Sequence, residues 1–184
     1  AKTLTIEGAD STAAFEGNAS GGSSAFSIET AVPITVKNLT ITKGSAGISM
    51  NAAGGELTLG TGALVKENTV SAGASGDGPG IHVYSGSLTL QGSAEISGKI
   101  YLRANPKKPI TIGGVLTKYN ASNKITICLE NSGSSDATSW QTGDQVITGE
   151  ADIINSEWGK FSVSVISTSG GESSFSINAT GKMN

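Results

Sequence analysis

Short alternations of apolar and polar residues run the length of the chain. Leu4-Thr5-Ile6, Phe26-Ser27-Ile28, Ile34-Thr35-Val36, Leu39-Thr40-Ile41 and Leu57-Thr58-Leu59 open the series. It continues through Ile81-His82-Val83, Leu88-Thr89-Leu90, Ile100-Tyr101-Leu102, Ile110-Thr111-Ile112, Ile125-Thr126-Ile127, Phe161-Ser162-Val163 and Phe175-Ser176-Ile177. A period of two marks a strand, because successive side chains point to opposite faces. Each triplet therefore predicts a short strand with Ile, Leu, Val or Phe inside and the central residue outside. Clusters such as "TKGSAG" and "NAAGG" stand between triplets and suit sharp corners. No window offers about ten residues of helical apolar spacing free of Gly and β-branched clusters, which argues against helices and against a βαβ sheet.

Two phrases repeat. "GGELTLGTGALVKEN" (Gly54 to Asn68) and "SGSLTLQGSAEISGK" (Ser85 to Lys99) hold a spacing of 31, from Leu57 to Leu88 and from Ala63 to Ala94. Upstream, "AGISM" (Ala46 to Met50) matches "PGIHV" (Pro79 to Val83) at a spacing of 33. Strand-bearing repeats of this length point to a solenoid, in which each unit buries its apolar face against its neighbours. The rival is an antiparallel sandwich or barrel, whose strands typically run about five to six residues where these run three. The expected fold class is all-β: a right-handed parallel β-helix with an irregular C-terminal cap. Residues 1–184 form one domain in this reading, with coils over 1–130 and a less regular final coil and cap over 131–184.

Both tryptophans, Trp140 and Trp158, fall in that last part, together with the candidate cap strands "SEWGKFSVSV" and "ESSFSINATGKM". A solenoid must cover its last open strand edges. That requirement favours Trp158 as a plug over a sugar-stacking platform.

Composition fits such a chain. The 184 residues suffice for one core, and 26 glycines mark many turns. The net charge of −3, from 12 Lys+Arg and 15 Asp+Glu, leaves no basic footprint for nucleic acid. No apolar run reaches the roughly eighteen residues of a membrane span, and no signal-type segment opens the chain, so it reads as a mature or trimmed soluble piece. Cys128 stands alone, which excludes an intramolecular disulfide and favours a structural thiol.

Phe15-Glu16-Gly17-Asn18 fits the FxxN pattern, Val65-Lys66-Glu67-Asn68 follows it loosely, and "KNLTITKG" has related phrasing. With "PGIHVYSGSLTLQGSAEISG" and "IYLRANPKKPITIGGVLT", these stretches resemble repeats of the polymorphic outer membrane proteins and other adhesin-like bacterial surface proteins. The resemblance covers about residues 15 to 120. The partner motif GGA[ILV] stands here as Ala46-Gly47-Ile48 and Pro79-Gly80-Ile81. The resemblance implies a right-handed parallel β-helix, an extracellular or cell-surface setting, and a polysaccharide or host surface protein as partner.

Catalysis has weak support in the residues. Many parallel β-helices resemble polysaccharide lyases or hydrolases, which need a calcium site or paired carboxylates on one face. The outward positions here are Thr5, Thr35, Thr40, Thr58, Thr89, Thr111 and Thr126, while Asp77, Asp136, Asp144 and Asp152 are scattered in loops. His82 is the sole histidine, with no second ligand at metal spacing, and reads as a solvent-facing strand residue. The expectation is therefore no catalytic residue, no metal and no cofactor. His82, Tyr84 and Tyr101, all on outward positions, form a candidate ligand patch. A row of threonines also suits ice binding, but the paired ranks such a surface needs are missing, and strand propensity accounts for threonine. The sequons at Asn18, Asn38, Asn120 and Asn178 are expected by chance in a Ser/Thr-rich chain. The functional expectation is a non-enzymatic, adhesin-like binding or display module without membrane insertion. A carbohydrate-active enzyme is the alternative.

Overall fold

The computed structural model describes residues 2–10, 12–18, 23–68, 80–103, 106–131, 139–166 and 171–184. The chain visits three sheets in rotation. Its first turn lays down β1 (Leu4–Glu7), β2 (Ala14–Glu16) and β3 (Phe26–Ile28). The second adds β4 (Ile34–Lys37), β5 (Thr40–Thr42) and β6 (Ile48–Met50). The third adds β7 (Glu56–Leu59), β8 (Leu64–Val65) and β9 (Ile81–Val83), and the fourth β10 (Ser87–Gly92), β11 (Glu95–Ile96) and β12 (Lys99–Arg103). After these come β13 (Ile110–Leu116), β14 (Ile125–Glu130) and β15 (Ile147–Gly149), then helix α1 (Ala151–Glu157), β16 (Phe161–Ile166) and β17 (Glu172–Phe175). Through β13, every third strand therefore shares a sheet. Sheet A runs β1-β4-β7-β10-β13-β15, sheet B β2-β5-β8-β11, and sheet C β3-β6-β9-β12-β14-β16-β17. All pairs are parallel except β16 with β17.

The repeated phrases lie in register. Leu57 pairs with Leu88 and Leu64 with Glu95, so the spacing of 31 is one turn of the chain. The spacing of 33 pairs Ile48 with Ile81. Like residues thus stack on like. The inner column of sheet A holds Ile34, Leu57, Leu88 and Ile110, and that of sheet C holds Ile48, Ile81, Ile100 and Ile127, all buried in one core. Burying each such side chain contributes about 1.5–3 kcal/mol.

Corners repeat as well. Lys43, Glu67 and Gly98, each two residues past the buried residue of a sheet B strand, adopt φ of 60°, 51° and 97°. The first of these corners falls in the cluster "TKGSAG", and in two of the three the left-handed position itself is held by a residue other than glycine. Gly47 shows the opposite constraint, since a Cβ there would stand 2.4 Å from Val65 Cγ1 and 2.5 Å from the Gly80 carbonyl oxygen. Asn68, the end of the loose FxxN match, is buried at this corner and accepts the Gly44 N–H at 3.0 Å.

Regularity ends at the C-terminal side. Sheet B stops at β11, and side chains take over its role. The Tyr119 hydroxyl accepts the Ile96 N–H and donates to the Ile96 carbonyl at 3.1 Å, satisfying both backbone groups of that edge residue. At Leu116, the buried Glu157 carboxylate accepts the N–H at 2.9 Å while the Lys160 ammonium donates to the carbonyl at 2.9 Å. Helix α1, which sequence periodicity did not show, carries Glu157 to this place. Phe175-Ser176-Ile177 is not a strand unit: β17 ends at Phe175 and runs antiparallel, and Ile177 bridges to Met183. The Gly181 carbonyl accepts the N–H groups of Val146 and Ile147 along sheet A. The tryptophan in the core is Trp140, whereas Trp158 is 39% exposed on the turn after α1 and plugs nothing.

Candidate functional site

Strand alternation and parallel register turn single outward residues into files. On sheet A, Thr5, Thr35, Thr58, Thr89, Thr111 and Thr148 stand side by side, one from each strand. On sheet C, the corresponding file reads Ser27, Ser49, His82, Tyr101, Cys128, Ser164 and Ser174. Its middle holds the chemistry.

The structure brings His82, Tyr84 and Tyr101 together. The His82 ring stacks on Tyr84 with centroids 3.8 Å apart and planes 23° from parallel, and lies 5.5 Å from the Tyr101 ring. Two further residues join them. Arg103 places its guanidinium carbon 4.4 Å from the Tyr84 ring centre, and Glu130 meets His82 Nε2 at 2.9 Å. His82 is therefore not a freely solvated strand residue: its side chain is only 15% exposed. The hydrogen bond from His82 holds the Glu130 carboxyl below its usual range, against the opposing effect of burial. Offset-stacked and edge-on aromatic pairs contribute about 0.5–1.5 kcal/mol beyond their buried area, so these contacts hold the three rings in place.

Tyr101 links the cluster to a groove of about 510 Å³. This groove lies where sheet B ends, lined by Glu95, Ser97, Lys99, Tyr101, Tyr119, Asn123, Lys124 and Thr126 among others. Burial pushes the Tyr101 phenol above its ordinary value, so it is a neutral donor at physiological pH. Lys99 Nζ lies 3.2 Å from Glu172 Oε1, across the file from Cys128. The Cys128 thiol is buried and touches the Ser164 hydroxyl at 3.3 Å. Burial raises its pKa, as a structural thiol requires.

Arg103, Glu130, Lys99 and Lys124 were not among the residues expected at the site. A pairing across 48 residues, such as His82 with Glu130, is visible only once the register is known. Among the expected scattered acids, Asp77 and Asp136 lie outside the described residues. Asp144 is bound to Lys107 at 2.8 Å, away from the groove lining. Among the described residues, no three His, Cys, Asp or Glu side chains gather as a metal site, and no helix is long and apolar enough to cross a membrane. Compared with protein-family models, curated proteins and solved structures, the chain matches none.

Proposed function

We propose that this chain is a non-enzymatic, adhesin-like module of a bacterial surface or secreted protein, binding polysaccharide on the outer face of sheet C. Its scaffold in this reading is a right-handed parallel β-helix with residues 131–184 closing one end. The rotation through three sheets and the in-register repeats support that scaffold.

One observation carries the ligand reading. Tyr101 stands where a polar groove meets a rigid cluster of rings, and sugars bind by stacking an apolar ring face on an aromatic while their hydroxyls meet polar groups. Lys99, held by Glu172, and Lys124 stand with Glu95 at this groove, so charged as well as hydroxyl groups are available to meet a sugar. Cleavage is disfavoured because glycoside hydrolysis by carboxylates needs a free pair about 5–9.5 Å apart, whereas Glu95 is the one carboxylate among the groove's described lining residues and the neighbouring Glu130 and Glu172 are engaged by His82 and Lys99.

Affinity electrophoresis through gels carrying acidic or neutral polysaccharides, with and without calcium, tests this. Retardation by at least one of these polymers is expected, and replacing His82, Tyr84 and Tyr101 by Ala should abolish it while lowering Tm by only a few degrees. Uniform mobility in all gels overturns the reading. Release of short oligosaccharides from a retarding polymer would replace it with an enzyme.

A further inference from the structure

The groove beside Tyr101 does not stop at Glu95. That residue also lines a second groove, of about 400 Å³, which follows the corner between sheets A and B. Its floor is the outer file of sheet B, where the register sets Thr40 beside Leu64 and Leu64 beside Glu95. Its wall takes one residue from each successive turn: Asn38, Gly62 and Ser93. Past the last strand of sheet B, the consecutive residues Lys118 and Tyr119 line the second groove and the first, respectively. The two grooves are therefore one trench, which crosses the outer face of sheet B at Glu95.

The trench is built to hold its shape. Bonds between turns fix its wall, since the Gly62 N–H donates to the Ser93 hydroxyl at 2.9 Å and the Asn38 amide donates to Glu7 at 3.1 Å. Its floor passes from hydroxyl to apolar to carboxylate, and a sugar presents both an apolar ring face and hydroxyl edges. Glu95, at the junction, is half-buried, and among the described residues none donates a hydrogen bond to its carboxylate or forms an ion pair with it. Such a group is an acceptor without donors, and an ionised oxygen takes a hydroxyl more strongly than a neutral one does. Asp10, the other carboxylate of the second groove, is held by the Thr12 hydroxyl and N–H. It belongs to the first turn, three turns of about 4.8 Å each from Glu95, so the longer site still lacks the close pair that cleavage needs. Each half of the trench has the volume of a small-molecule site. Filling both in series takes an extended chain.

Building on the polysaccharide reading, we infer that the ligand is a linear polysaccharide held along its interior. The chain stacks on Tyr101, passes over Glu95 and continues across Leu64 toward Asn38. Several successive sugars are read at once, and no chain end is needed. Affinity therefore grows with chain length until the trench is full.

The probes are alginate, hyaluronan and xylan, each whole and as size-fractionated oligosaccharides. The polymer that most retards the protein in gels supplies the competitors. On the unaltered chain, its decasaccharide should compete at least about tenfold better than its tetrasaccharide. Leu64→Ala with Lys118→Ala, both outside the Tyr101 groove, should bring the decasaccharide down to the level of the tetrasaccharide and leave the tetrasaccharide unchanged. If the double variant fails to fold, Lys118→Ala alone, at an exposed residue, must show the same selective loss. Equal competition at both lengths, or a folded variant that keeps the advantage of the decasaccharide, confines the ligand to the Tyr101 groove and overturns the inference while the polysaccharide reading stands. Retardation by none of the three polymers removes both together.

Discussion

The outer file of sheet A and that of sheet C rest on the same frame and carry different residues. One repeats threonine through all six strands, while the other passes from serine through His82, Tyr101 and Cys128 to serine again. Beneath both, the inner columns are alike, Leu and Ile stacked on Leu and Ile. The frame is therefore specified from inside, and the outer positions are free to carry either a uniform surface or a site. Departure from uniformity marks the place to look for binding.

That comparison can be broken at several depths. The largest effects belong to the shared interior: Leu57→Ala on sheet A and Leu102→Ala on sheet C should each cost about 2–5 kcal/mol by denaturant unfolding. A full cost in one and almost none in the other would mean that the two sheets do not share a core. Next comes the edge where sheet B stops. Tyr119→Phe strands the Ile96 N–H and C=O and should cost about 1–3 kcal/mol.

The same tyrosine sets an alkaline limit, because burial pushes its pKa up to about 12. Folding keeps the neutral phenol, so this stabilisation is complete below the unfolded value of about 10 and drains away as pH rises from there to about 12. Tyrosinate absorbance should show a late-titrating group that Tyr119→Phe removes, and its persistence in the variant would assign it elsewhere.

Smaller effects separate the two outer files. His82→Ala should change stability by less than about 1 kcal/mol, yet let the Glu130 carboxyl rise toward its ordinary range in a carbon-detected NMR titration. Glu130 has a lowered folded value, so its contribution is present above the ordinary carboxyl range and lost as pH falls through the folded value. An unmoved Glu130 titration would show that the pair does not couple. Smallest of all, Thr58→Val should stay within about 0.5 kcal/mol and leave polysaccharide retardation unchanged. Lost retardation in that variant would put the binding face on sheet A.

Much of the frame is legible in the chain, for a physical reason: stacked turns must present like residues to like, so spacing becomes register. Leu57 and Leu88 illustrate it for strands, Gly47 and Gly80 for a crowded corner. Sheet B is harder to see, since Leu64–Val65 and Glu95–Ile96 are too short to alternate. Lys43 and Glu67 hold left-handed corners that only glycine would have advertised. Helix α1, of seven residues, is below the length at which periodicity speaks, and its role rests on one buried carboxylate. At the site, outward alternation identifies His82, Tyr84 and Tyr101, but Arg103 and Glu130 join them only through cross-strand neighbours.

The spacing of 31 also governs how this molecule can be recognised by others. Neighbouring outward residues sit about 4.8 Å apart in space yet a whole turn apart along the chain. An antibody footprint on either face therefore gathers residues from distant segments. Such epitopes vanish on denaturation, and no linear peptide array reproduces them, so sera raised against the folded protein should be nearly blind to it on a denaturing blot.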